Sequence, residues 1–185
     1  MGAIGNNNFP KSAASSMVRR GQRVLFFGME PVQPVQFSSL ERCLMTNHAN
    51  IAAASPMLSL KAAQKIVAAG VDEAARMGVP MCVVAVDRSG QIKAVAHMDG
   101  ATVLPYQVAF KKAWTAAVTG APTADVRAFV ASDDGSRITM PHLADFSVID
   151  GGLPVLVDGV CVGAVGVSGA TAEMDLAVAE AALVG

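Results

Sequence analysis

GGLPVLVDGVCVGAVGVSGA, residues 151–170, is built almost wholly of glycine and small apolar residues, and its reading decides the fold. Gly163, Gly166 and Gly169 stand three apart, just before a helical pattern that opens at Thr171. A dinucleotide fingerprint requires G-x-G-x-x-G and an acidic residue roughly 20 positions on, for the ribose. The spacing here is G-x-x-G-x-x-G, so a phosphate-cradling loop is excluded. Ser168 lies in G-V-S-G rather than G-x-S-x-G, which excludes a nucleophile elbow. A hairpin remains. Asp158-Gly159 supplies the positive φ angles of a type I′ turn, and β-branched runs flank it. Glycines inside its second strand leave room for a close approach by another backbone, a neighbouring subunit or a flat ligand.

Working outward, the chain has 185 residues, 52% of them hydrophobic, and a formal net charge of -1. That suits one domain of roughly 100–200 residues. No apolar run approaches the ~20 residues that cross a bilayer, so no membrane span is expected. A near-neutral chain offers no basic face for phosphate neutralisation, which argues against nucleic acid as a partner. Cys43, Cys82 and Cys161 form no C-x-x-C pair, and the latter two lie in β-patterned runs as small hydrophobes. Neither a disulfide framework nor a zinc site is expected, and a reducing, cytoplasmic setting is the simpler reading.

Residues 1–57 read as an irregular extension preceding a domain over 58–185. The first 44 residues hold five Lys/Arg against two acids, whereas the remainder holds nine against thirteen. VRRGQRVLFFGM, residues 18–29, has the outline of a twin-arginine signal. Its apolar run is shorter than the roughly 7–15 residues of a signal core, and Glu30 and Pro31 cut it off, so export is not expected. MTNHANIAAASPM, beginning at Met45, has the look of a natural start.

Within the domain, Ser59 caps an amphipathic helix with Leu60, Ala63, Ile66, Val67, Val71 and Ala74 on one stripe and Gly78 as its stop. PMCVVAVD and IKAVAHM flank RSGQ as a first hairpin. LPYQVAFKKAWTAAVTG is a second helix, with Pro105 in its first turn and Gly120 at its exit. PTADVRAFVAS is a short third helix capped by Thr123. DDGSRITMPHLADFSVIDGG reads as irregular. A final helix opens near Ala172, with Thr171 as cap and Glu173 and Asp175 suiting its first turn. Strands joined by short turns predict a mainly antiparallel sheet with packed helices, an α+β sandwich.

SLKAAQKIVAAGVDEAARMGVPMCVVAVDRSGQIKAVAHMDGA, KKAWTA and GGLPVLVDGVCVGAVGVSGA together resemble the GlcG/HbpS family of haem-degrading-domain proteins, which includes the C-terminal domain of PduO-type corrinoid adenosyltransferases. The resemblance runs from about Leu58 to Leu183. It rests above all on Met98-Asp99-Gly100-Ala101, Gly151-Gly152-Leu153-Pro154 and Gly166-Val167-Ser168-Gly169. It implies a profilin- or PAS-like sandwich that assembles into dimers and often octamers. It also implies haem or tetrapyrrole binding in some members and aromatic catabolism, notably hydroxylaminobenzoate lyases, in others. YQVAFKKAW is more aromatic than the family's usual helix, and SRITMPHLADF is an elaborated loop.

Tyr106, Phe110 and Trp114 recur at i, i+4 and i+8 and line one helix face. They are read either as core or subunit contact, or as a wall for a flat ligand with the Tyr106 hydroxyl as a polar handle. Lys111 reads as solvated surface. Lys112 occupies the lysine of the family's K-A-x-T-A pattern and is expected to hold a carboxylate or a haem propionate. His97, at a strand end, reads as hydrogen-bonded structure, and His48 is assigned nothing. His142, in a loop with Met140 nearby, is a candidate haem axial ligand or a general acid/base. Gly152 is a turn residue that could turn backbone N–H groups toward a ligand.

Two function classes stay open. A binding module would hold a small-molecule ligand, haem or another tetrapyrrole, with Tyr106, Phe110, Lys112, Met140, His142 and Gly152. An enzyme, of hydroxylaminobenzoate lyase-like type, would place Lys112 on the carboxylate of a small aromatic acid and use His142 to move a proton.

Overall fold

The computed structural model describes residues 55–185. The expectations for the extension, a start at Met45, Cys43 and His48 lie outside the described residues. Ten elements follow one another. They are α1 (Leu60–Arg76), β1 (Cys82–Asp87), β2 (Ile92–His97), α2 (Leu104–Thr119), α3 (Thr123–Ser132), α4 (Asp134–Thr139), a 3₁₀ turn (Met140–His142), β3 (Gly152–Val157), β4 (Val160–Ser168) and α5 (Ala172–Val184). The four strands form one antiparallel sheet in the order β2-β1-β4-β3. Helices α1 and α5 pack on one face and α2 on the other, which is the α+β sandwich expected.

The helix ends form for local reasons. Ser59 and Thr171 each accept a backbone N–H three residues on, as N-caps do. Gly120 ends α2 in the left-handed conformation at φ 70°. Asp158 and Gly159 both have positive φ, 50° and 77°, as a type I′ turn requires.

Two expectations are corrected. Pro122, not Thr123, precedes the first residue of α3, and the Thr123 side chain turns inward instead. The stretch after Ser132 is not irregular throughout. Asp133 accepts the Ser136 N–H at 2.6 Å and caps α4, which runs on into the 3₁₀ turn. Asp-Gly-Ser reads locally as a turn, and the aspartate preceding it supplies a cap as readily as a bend.

Alternation along the strands divides the core. Val83, Ala85, Val165 and Val167 meet Val67 of α1 and Val178 of α5. Cys82, Val84, Val86 and Ala164 meet Ala109, Ala113, Ala116 and Ala117 of α2. The alanine face lets α2 lie close to the sheet, and the glycines of β4 complete the fit. An added Cβ on Gly166 would overlap the carbonyl oxygen of Ala109. Of the three close approaches left open by the sequence, it is the chain's own helix that occupies this one.

No helix among the described residues is long and apolar enough to cross a membrane. Burial pushes the Cys82 thiol up to about 11, whereas Cys161 is half-buried beside Gly120. An alkylating reagent near neutral pH should therefore modify Cys161 in the native protein and Cys82 only after denaturation. Peptide mass mapping checks this, and equal rates at the two sites would contradict the burial.

Candidate functional site

The structure answers first for Lys112. Its side chain has no exposed surface, and Nζ donates to Asp175 Oδ2 at 2.6 Å and to the Val167 carbonyl at 2.8 Å. Asp175 accepts the Ala170 N–H on its other oxygen at 3.1 Å. Desolvation holds the Lys112 ammonium below the usual lysine value, and Asp175 and then Asp150 partly offset this. The carboxylate that Lys112 was expected to hold is thus the chain's own.

Glycines at the start of β3 make this route open. Lys112 belongs to α2 on one face of the sheet, and Asp175 to α5 on the other. At Gly151, with φ 106°, a Cβ would stand 2.9 Å from the Asp175 Cβ. At Gly152 it would stand 2.5 Å from the Lys112 carbonyl oxygen. Two bare backbone units therefore let the helical layers meet past the end of the sheet. Gly152 offers no free N–H to a ligand, because that group donates to Thr123 Oγ1 at 3.2 Å, which corrects the expectation for it. Sequence reasoning missed Asp175 as Lys112's partner, because an acid in a helix's first turn is already accounted for by the helix dipole.

His142 is exposed on the 3₁₀ turn and Met140 is half-buried. Among the described residues, no hydrogen bond joins either side chain to Lys112 or Asp175. The Lys112–His142 partnership imagined for an enzyme is not assembled. No group of three or more His, Cys, Asp or Glu stands ready to hold a metal ion among the described residues.

What the structure does assemble is a shelf beside α2. This helix lies over β1, β4 and β3 and leaves the same face of β2 largely bare. Pairing sets Val95 opposite Val84 and His97 opposite Cys82, so both point to the α2 side of the sheet. The Trp114 indole packs against Gly90, in the turn that joins β1 to β2. That contact puts the aromatic flank of α2 on the β2 side. Tyr106 lies at the end of α2 nearer His97, and Phe110 lies between Tyr106 and Trp114 along the helix. Val95 is 41% exposed and Tyr106 40%, while Phe110 rests partly on the alanine core. Tyr106, Phe110 and Trp114 thus wall one side of a surface whose floor is Val95 and whose end is the exposed imidazole of His97. Val95 went unnoticed in the sequence, and His97 was read only as hydrogen-bonded structure, because the α2-side exposure of an edge strand depends on where the helix lands.

Comparison with known proteins agrees with this architecture. Residues 58–184 match the family model described as haem degrading protein HbpS-like. The chain is 35% identical to protein GlcG of Escherichia coli strain K12 over 112 residues, 60% of this chain and 81% of GlcG. The crystal structure of an HbpS double mutant from Streptomyces reticuli superposes with a TM-score of 0.68 at 31% identity, over 73% of this chain and 90% of that one. A crystal structure of a PduOC:heme complex superposes with a TM-score of 0.64 at 26% identity, over 69% and 94%. The sheet order, the paired glycines and these likenesses place the chain in one group: it belongs to the HbpS-like family, with GlcG and PduO among its relatives.

Proposed function

We propose that the chain is a binding module for a flat, largely apolar macrocycle of the tetrapyrrole class, haem above all. The observation that carries this is the shelf, where three aromatic side chains stand beside a strand face that no helix among the described residues covers. An extended π-system matches aromatic walls better than a small polar substrate does. A relative solved as a complex with haem supports the choice of class. The residues fit the group. Tyr106, Phe110 and Val95 would meet its faces or edge, and an exposed imidazole at the end of the shelf would meet its iron. When bound, haem supplies an iron centre whose visible absorption reports the ligands it meets.

The enzyme reading has no comparable support, because its cation is committed to Asp175. Self-association is part of the proposal as well. Leu156, Val157 and Val160 are exposed together around the β3–β4 turn. Exposed apolar groups gathered this way commonly mark interfaces. A monomer at every concentration in light scattering would count against it.

Addition of haem to the purified protein should give a saturable shift of the Soret band. Val95→Glu, which sets a carboxylate in the floor, should weaken binding at least about tenfold, roughly 1.4 kcal/mol. Absence of any saturable change in the unaltered protein overturns the reading.

A further inference from the structure

The groove of about 450 Å³ between α1 and β2, with Asp72 and Lys93 on its rim, has nothing that commits it to one occupant. The Lys112–Asp175 pair is closed to any ligand. His97 has more to offer. Its Nε2 lies 3.2 Å from the Ala101 carbonyl oxygen. A carbonyl oxygen only accepts, so Nε2 carries the hydrogen, and in the neutral ring Nδ1 is left with the free lone pair. A histidine that ligates a metal almost always gives its other ring N–H to a carbonyl, a carboxylate or water, which fixes both tautomer and ring orientation. His97 already has that arrangement, on a residue exposed at the end of the shelf and on its side of the sheet.

We propose that His97, rather than His142, supplies the nitrogen that engages the ligand on the shelf, as iron ligand when the ligand is haem. This rests on the shelf being the binding surface. The Ala101 carbonyl lies in the loop that leads into α2, so the hydrogen bond also ties the imidazole to the helix bearing the aromatic wall. His142 has no hydrogen-bonded orientation of this kind among the described residues.

Haem titrations of the full chain followed by visible absorption test the assignment, with His97→Ala, His142→Ala and Val95→Glu beside the unaltered protein. His97→Ala should lose the Soret position of the unaltered complex and regain it when free imidazole is added. His142→Ala should keep it. A Soret band unchanged by His97→Ala overturns the assignment, as does a loss that imidazole does not restore. Val95→Glu separates the two levels. If it abolishes binding while His97→Ala changes nothing, the shelf stands and His97 alone falls. If neither variant has any effect, the shelf falls and takes His97 with it.

Discussion

Replacing Lys112 with alanine is expected to cost about 3–5 kcal/mol of stability, the range for removing one partner of a buried ion pair. The ammonium vanishes, and the carboxylate of Asp175, 3% exposed, is left in the interior with only the Ala170 N–H. The Val167 carbonyl loses a partner as well. Urea denaturation followed by circular dichroism measures the loss as a fall in the transition midpoint. A double variant, Lys112→Met with Asp175→Leu, removes both charges together and should recover most of the difference, because well-packed apolar replacements of such pairs are often neutral. Were the Lys112→Ala protein as stable as the original and impaired only in ligand binding, the internal pairing described here would be wrong.

Gly166→Ala should also be strongly destabilising, through steric overlap rather than charge. The new methyl group would fall on the carbonyl oxygen of Ala109 and 2.5 Å from the backbone nitrogen of Ala113. Those atoms belong to the backbone of α2, so no rotamer change relieves the clash and the whole helix must lift. Overpacking of a core ordinarily costs about 1–3 kcal/mol, occasionally more. Here lifting α2 also draws Lys112 away from Asp175, which points to the upper end or beyond. Loss of soluble protein, or a transition midpoint far below that of the parent, is the expected reading. Gly159→Ala, with positive φ but nothing within 4 Å of the added group, is the control and should cost much less. Equal stability of the two variants would contradict the tight seat of α2 on β4.

Much of the fold was legible because it is written in local signals. Ser59 and Thr171 as caps, Gly120 as an exit and Asp158-Gly159 as a tight turn each specify geometry within a few residues. Asp133 shows the limit, since Asp-Gly-Ser suits a turn and a helix start alike. The site was less legible, for a different reason. Lys112 was read as a cation for a ligand's carboxylate, but its partner is Asp175, 63 positions away on the opposite helical layer, and no periodicity connects the two. The aromatic stripe was visible as a stripe. What it faces depends on Trp114 meeting Gly90 across the sheet, a contact with no local trace in the sequence.

The strand order has a consequence for synthesis of the chain. The central pairing joins β1, the earliest strand described, to β4, the last, with Cys82 against Ser168 and Asp87 against Gly163. While the ribosome is still making the middle of the domain, the β1–β2 hairpin has an open inner edge, with the apolar run of Val83, Val84 and Val86 beside it. It cannot be covered until residues beyond 160 have emerged. Such sequence-distant closure is slow, and unpaired edges in unfinished chains invite aggregation. Yield during expression should therefore depend on how soon β4 becomes available, and chains cut short before Val160 are the ones expected to need chaperones.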